Sequence, residues 1–381
     1  MEWNVPLSDI DFGEAEVLAV TDVIRSRWLS MGSVTLEFER LFSDFIGAKH
    51  ALAVTNATAA LHLACVAVGL GPGDEAIVPS LTFVATANAV RYTGATPVFA
   101  DVESLDWMTI SPAAIEACIT ERTRAIVVMH YAGFPCDMPA IMEIADRHRL
   151  YVIEDSAHAI GSNIDGISLG TWGHVGCFSF FSNKNMTTGE GGMLATNDDE
   201  LARRMRTIRS HGMTSLSWDR HKGHSWSYDV IDLGFNYRID EIRSALGCVQ
   251  IKKVQAGNGR RGLLTMRYRE MLSELVPEIT MPFKDSRGNS CFHILPVLLP
   301  PGLDRAQFME GMKKYGIQTS IHYPPAHHFR IYEGDWRMRG IPLPVTEEIV
   351  NREVTLPLFS TMTEEQVEQV VRSVQKAVRE K

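Results

Sequence analysis

Short apolar runs alternate with amphipathic stretches over much of the chain. Between about residues 50 and 200 the runs are ALAV (51–54), EAIVP (75–79), TPVFAD (96–101), RAIVVMH (124–130), LYVIED (150–155) and CFSFF (177–181), and GGMLATND closes the series. They are continuous rather than alternating, as strands covered on both faces are. Helical patterns separate them: TAALHLACVAVGL, stopped by Gly71-Pro72-Gly73; TFVATANAVRYTG; PAIMEIADRHR; and DDELARRMRTIRSHG. Strands alternating with helices predict an α/β fold with a largely parallel sheet between helices.

After about residue 212 the pattern changes. HGMTSLSWDRHKGHSWSYDVIDLGFNYRIDE is a long polar and aromatic connection, and a loop of that length in a compact chain usually serves function. A helix is predicted near 240–254, followed by a break at QAGNG (255–259). The strand SCFHILPVLL, the helix DRAQFMEGMKKYG, the strand IQTSIHY and the final helix TEEQVEQVVRSVQKAV then read as a smaller α+β domain. The predicted division is a large domain over 1–250, with an N-terminal arm over 1–30, and a small domain over 251–381.

Composition adds exclusions. The 381 residues are 45% hydrophobic and 22% charged, which leaves ample core for two domains. The net charge is -9, and no block of Lys and Arg stands out, so neither nucleic acid nor an anionic membrane is expected as a main partner. No apolar stretch approaches the roughly 20 residues that cross a bilayer, and MEWNVPLSDIDFGEAEV lacks the pattern of a secretory signal. Six scattered cysteines with no CxxC pair read as reduced core residues of a cytoplasmic protein. No zinc-ligand spacing is present, and no metal site is predicted.

Chemistry is sought at the carboxyl ends of the strands, where ligands of parallel sheets sit. Thr55-Asn56-Ala57-Thr58 starts a helix, which suits a phosphate; a plain threonine cap is the alternative. Asp155 ends LYVIED and would hydrogen-bond a cationic ring nitrogen, cap the following turn or bind a metal. His158, three residues on, would tune that carboxylate or serve as a structural residue. Lys184 follows the run CFSFFSN and precedes TTGEGGM. A surface lysine is the plain reading; a desolvated amine that attacks a carbonyl is the other. An amine, an anion cradle and a carboxylate in this order suit one cofactor, pyridoxal 5'-phosphate (PLP).

The combination TNATAALHLA, PSLTFVATANAV, GATPVFADV, HYAGFPCDM, VIEDSAHAIGS, FSFFSNKNMTTGEGG and LGFNYRIDEIRSALG resembles the DegT/DnrJ/EryC1/StrS family of PLP-dependent sugar aminotransferases. The likeness runs from PLSDIDFGEAEV to IHYPPAHHF and LPLFSTMTEEQ, nearly the whole chain. It implies fold-type I, with a mostly parallel seven-stranded sheet. It implies Lys184 as Schiff-base lysine and proton shuttle, and Asp155 as partner of the pyridine nitrogen. Ser179, Thr58 and the Ala57 backbone match phosphate ligands, and Asn56 stands beside them. Phe83 sits where the family stacks an aromatic on the cofactor, and His158 lies near the ring hydroxyl. Asn236 matches a residue that reaches the neighbouring subunit's phosphate, so a homodimer is part of the site. Trp28 and Met31, in a substrate loop, and His322 and Tyr323, near the sugar, are the substrate candidates. Glu190 recurs in the pattern without an evident chemical role.

Some relatives carry histidine in place of the lysine and remove a sugar hydroxyl. Lys184 therefore favours transamination, from an amino acid such as glutamate to a nucleotide-linked 4-keto or 3-keto deoxy-sugar, through pyridoxamine phosphate. An aminotransferase for keto-cyclitols, a PLP-dependent dehydratase or lyase on the same fold, and a non-catalytic binding protein are the alternatives. The aromatic segment 212–230 is expected to shape the sugar or nucleotide pocket.

Overall fold

The computed structural model describes residues 3–214, 227–285, 287–332 and 341–379. Two helices come first, α1 (Glu14–Ser26) and α2 (Ser33–Ile46). Strands and helices then alternate: β1 (His50–Val54), α3 (Ala57–Ala67), β2 (Glu75–Pro79), α4 (Ala85–Tyr92), β3 (Thr96–Ala100), α5 (Pro112–Cys118), β4 (Thr123–Met129), α6 (Met138–His148) and β5 (Tyr151–Asp155). A two-residue hairpin, β6 (Asn163–Ile164) and β7 (Ile167–Ser168), precedes β8 (Val175–Ser179), β9 (Gly192–Thr196) and α7 (Asp199–Ile208).

The apolar runs form one seven-stranded sheet in the order β1-β9-β8-β5-β4-β2-β3. All neighbours pair in parallel except β9, which is antiparallel to both β1 and β8. The continuous hydrophobicity has the expected cause. Val54, Val78, Val127, Ile153 and Leu194 pack with α3 and α4 on one face. On the other face Ile126, Val128 and Val152 meet Ile115 of α5 and Ile141 of α6, while Ala53, Phe178 and Met193 meet Phe38 and Phe42 of α2. Six of the strands point their carboxyl ends to one edge, where β9 begins.

A second core gathers the C-terminal elements. The amphipathic helix Glu364–Arg379 buries Val367, Val370, Val371 and Val374 against Tyr268, Leu272, Val297 and Leu356. Here two expectations are corrected. The stretch 255–259 is not a break but lies inside a 22-residue helix, Val254–Leu275. Gly257 and Gly259 in this stretch, and Gly262 after it, cost that helix about 1 kcal/mol each; the burial of Leu264, Tyr268 and Leu272 outweighs the loss. IQTSIHY is not a regular strand. It touches its neighbours through isolated bridges, Val5 with Ile317 and Ser320 with Thr355. The ladder is formed instead by β10 (Leu295–Leu298) with β11 (Glu353–Leu356), a strand the hydrophobic pattern did not single out.

All six cysteines are free, five of them buried. Among the described residues no helix is long and apolar enough to cross a membrane.

Candidate active site

The antiparallel insertion of β9 brings two strand ends together. Val54 of β1 pairs with Gly192, and Gly192 pairs with Ser179 of β8. Ser179 thereby lies across one residue from the start of α3. A Cβ on Gly192 would stand 2.5 Å from the Asn56 carbonyl carbon and 2.8 Å from the Ala57 nitrogen, so only glycine permits this approach. The cap of α3 is Asn56 rather than a threonine: its Oδ1 accepts the Ala59 N–H at 2.8 Å. Ala57 and Thr58 form the first turn, where the helix offers their N–H groups no partner. Helix N–H groups, a dipole and the Ser179 hydroxyl therefore converge on a place suited to an anion. Asn236 is exposed on a segment that runs beside β1, with the Tyr237 carbonyl accepting the Thr55 N–H at 3.0 Å.

Lys184 stands in the loop between β8 and β9. The threonines and glycines around it build that loop. Thr187 Oγ1 donates to the Phe180 carbonyl at 3.2 Å, Thr188 Oγ1 to the Glu190 carbonyl at 2.7 Å and Ser182 Oγ to the Gly189 carbonyl at 3.2 Å. Met186 anchors it in the core. The Lys184 side chain runs into the fold while the residue keeps an intermediate exposure, as a pocket lining does. Burial pushes its amine down to about 8; the charge of Asp155 opposes that fall. An amine in that range is neutral in roughly a tenth of molecules at pH 7, some hundreds of times more than an ordinary lysine, and the neutral form is the nucleophile.

Asp155 and Glu154 end β5, and strand alternation sends them to opposite sides. Glu154 is consumed by structure: it accepts the Gly170 and Gly173 N–H groups at 2.7 and 2.6 Å and meets His130 Nε2 at 2.9 Å. Asp155, 4% exposed, takes the Thr86 hydroxyl at 2.7 Å and the Ala157 N–H at 3.2 Å. It forms no ion pair among the described residues. Burial pushes its carboxyl up from the usual range, with Thr86 and Lys184 opposing. Thr86 in turn shares a hydrogen bond with Thr82 at 2.7 Å. The sequence reading missed this pair; SLTFVATAN holds the two threonines four residues apart across the start of α4, and that spacing was the available signal.

His158 is buried and lies under the same edge. The Ala132 N–H donates to its Nδ1 at 3.3 Å, so Nε2 carries the proton and donates to the Tyr323 oxygen at 2.8 Å. Burial and the nearby Lys184 hold it well below the ordinary imidazole range, thus neutral. The Tyr323 ring lies 5.6 Å from that of Phe83, which is 52% exposed and open to a ligand. His322 is also buried; its Nδ1 lies 2.8 Å from the Thr355 hydroxyl, which lies 2.6 Å from the Glu353 carboxyl. The fold thus gathers Lys184, Asp155, His158, Phe83, Tyr323 and His322 from segments far apart in sequence. His293, which the sequence reading passed over, joins them at 3.4 Å from Lys184 Nζ.

Trp28 and Met31 are held differently. Gly32, Val34 and Thr35 donate backbone N–H bonds to Glu241 at 2.8, 2.8 and 2.9 Å, which pins this loop to the Glu241–Gln250 helix. Trp28 lines a groove between α1, α2 and that helix, and the groove contains none of the lysine-site residues. Of the segment 212–230, residues 215–226 lie outside the described residues.

Comparison with known proteins follows this geometry. A family model described as the DegT/DnrJ/EryC1/StrS aminotransferase family matches residues 11–375. The spore coat polysaccharide biosynthesis protein SpsC of Bacillus subtilis (strain 168) is 37% identical over 384 residues, covering 100% of this chain and 97% of its own. Helicobacter pylori PseC, an aminotransferase involved in the biosynthesis of pseudoaminic acid, superposes with a TM-score of 0.91 at 31% identity, covering 100% of both chains. DesI, solved in the presence of its TDP-sugar product, gives a TM-score of 0.89 at 30% identity, over 100% of this chain and 93% of its own.

Proposed function

The chain belongs to the DegT/DnrJ/EryC1/StrS aminotransferase family, whose members are PLP-dependent, and from that premise we propose that it aminates a nucleotide-linked keto-deoxy-sugar, with glutamate as donor. The observation that carries the reading is that a buried Lys184 amine and the buried Asp155 carboxylate lie at one sheet edge, near enough for each charge to act on the other without an ion pair between them. The nucleotide-linked sugar rests on likeness to DesI, and the biosynthetic setting on likeness to SpsC and PseC.

The residues fit PLP on their own terms. Asp155 is a buried carboxylate without an ion-pair partner among the described residues, and a cationic ring nitrogen would supply one. Gly192 lets the start of α3 lie against β9 beside Ser179, so the Ala57 and Thr58 N–H groups and the Ser179 hydroxyl would hold a phosphate. Phe83 would cover the ring, and His158 would stand near its hydroxyl.

When bound, PLP acts as an electron sink for bonds broken at the donor's α-carbon. The chain supplies the rest. Lys184 offers a neutral amine to the cofactor's carbonyl carbon, then takes the proton from the donor's α-carbon and returns one to the sugar carbon in the second half-reaction. Asp155, held by Thr86 and Ala157, keeps its charge opposite the ring. Neutral His158 donates an Nε2–H hydrogen bond to the Tyr323 oxygen, which leaves the Tyr323 hydroxyl free to donate to the substrate or the cofactor. His322, held neutral by burial, would stand near the sugar.

Asn236 reaches the phosphate site of a second copy in a homodimer. The apolar residues exposed beside it, Tyr228, Val230, Ile231 and Leu233, support a covered surface there. The test is a panel of keto-sugars bearing different nucleotides, each incubated with glutamate and followed for aminated product. Amination of free keto-cyclitols and of no nucleotide-linked sugar would overturn the substrate reading.

A further inference from the structure

We propose that His293 is the seat of the free Lys184 amine, and that Asn185 and Asn258 are positioning residues which fix its imidazole with Nδ1 protonated and the Nε2 lone pair turned to Lys184 Nζ. This rests on the reading that Lys184 carries the chemistry.

The polarity of the chain of hydrogen bonds is set by groups that can only accept. The Cys291 carbonyl is 2.8 Å from Asn185 Nδ2, and the Ile160 carbonyl is 2.9 Å from Asn258 Nδ2. Both amide nitrogens are therefore assigned. Asn258 Oδ1 then accepts the other Asn185 N–H, at 2.7 Å. Asn185 Oδ1 is left as the atom 2.8 Å from His293 Nδ1, and a carbonyl oxygen there requires that Nδ1 donate. A neutral imidazole that donates from Nδ1 has a bare Nε2. That nitrogen lies 3.4 Å from Lys184 Nζ, a long hydrogen bond that a flexible lysine can shorten.

The imidazole stays neutral. It is 3% exposed and its ring lies 4.3 Å from that of His158. Arg261 donates to the His293 carbonyl at 3.2 Å and adds positive charge nearby. Burial, with His158, Lys184, Arg261 and His322, holds His293 well below the ordinary imidazole range. The groups facing Lys184 are thus one anion, Asp155, the buried Cys291 thiol, and three imidazoles held neutral, at His158, His293 and His322. Among the described residues only His293 is within hydrogen-bond reach of the amine. A neutral acceptor there holds an amine or an ammonium in place without repelling it, so the lysine has a defined position whenever it is not bonded to the cofactor.

The test uses the full chain, freed of cofactor. Long-range proton–nitrogen spectra of the 15N-histidine protein should show, for the ring whose signals vanish in His293→Gln, a protonated Nδ1 and a bare Nε2. A protonated Nε2 on that ring would overturn the proposal. Competitive amine labelling with mass mapping of the Lys184 peptide gives the amine's titration midpoint. His293→Gln, which offers a carbonyl oxygen in the same place, should leave it within a few tenths of a unit. His293→Leu and Asn185→Ala should each lower it by about one unit, a tenfold loss of proton affinity, because an acceptor favours the ammonium. The double variant should match His293→Leu alone, since Asn185 acts through His293. An unshifted His293→Leu, or a further drop on adding Asn185→Ala, would sink the assignment. None of these readouts involves PLP, so they fail separately from the proposed function, which falls if the cofactor never attaches to Lys184.

Discussion

The Thr86 hydroxyl donates to Asp155 Oδ2 at 2.7 Å, and it does so from the first turn of α4 while Asp155 ends β5. The bond fixes the rotamer of the carboxylate proposed to meet the ring nitrogen. Thr86→Val keeps the shape and removes the donor. It should weaken cofactor affinity about tenfold, the worth of one hydrogen bond to a charged group, while Thr86→Ser should recover most of it. Absorbance titration of cofactor-free protein with PLP measures both.

Lys184→Ala should abolish covalent capture of the cofactor and lower transamination by about three orders of magnitude or more. Borohydride reduction followed by peptide mapping should mark Lys184 in the unsubstituted chain. A mark on another lysine would refute the role given to it.

The pH dependence follows from a lysine held at about 8 rather than its usual 10.5. The neutral amine is the nucleophile, so the rate of cofactor capture should rise with pH through about 8 and level off above it. A stopped-flow series from pH 6 to 10 would show the inflection. An inflection near 10.5 would mean that the amine is not desolvated.

Gly192→Ala sets a methyl against the backbone of Asn56 and Ala57, which cannot swing away as a side chain tip would. The start of α3 must shift. A stability loss of about 2 kcal/mol is expected, together with weaker inhibition by inorganic phosphate. Thermal unfolding and phosphate competition against PLP measure the two effects.

Glu353 is buried and burial pushes its carboxyl up to about 8. It therefore binds a proton in the folded state between about pH 4.5 and 8 that the unfolded chain lacks. Its contribution to stability is complete at low pH and is lost as pH rises through 8. Glu353→Gln mimics the protonated acid beneath His322 and Thr355. The variant should melt like the parent at pH 4 and on the order of 5 °C above it at pH 8. Equal melting temperatures at both values would contradict the burial argument.

The legible features were local ones. Strands β1 to β5, β8 and β9 declared themselves because a strand covered on both faces needs an unbroken apolar run. Asp155 and Lys184 were visible because each follows such a run directly, and strand ends are where a parallel sheet binds ligands. The long helix Val254–Leu275 was hidden by Gly257 and Gly259, whose backbone penalty is local while the compensating burial of Tyr268 and Leu272 comes from elements up to a hundred residues away.

Residue order alone settled the α/β pattern and the buried strands and marked Lys184 and Asp155 as candidates, since those depend on periodicity over a few neighbours. Tertiary packing decided the rest: that β9 slips between β1 and β8 and joins Ser179 to α3 through Gly192, that Thr86 holds Asp155, and that His293, 109 residues from Lys184, stands at its amine. Hydrogen bonds between distant segments carry no periodic trace. They exist only where the closing of two cores brings the partners within about 3 Å, and no run of adjacent residues records that.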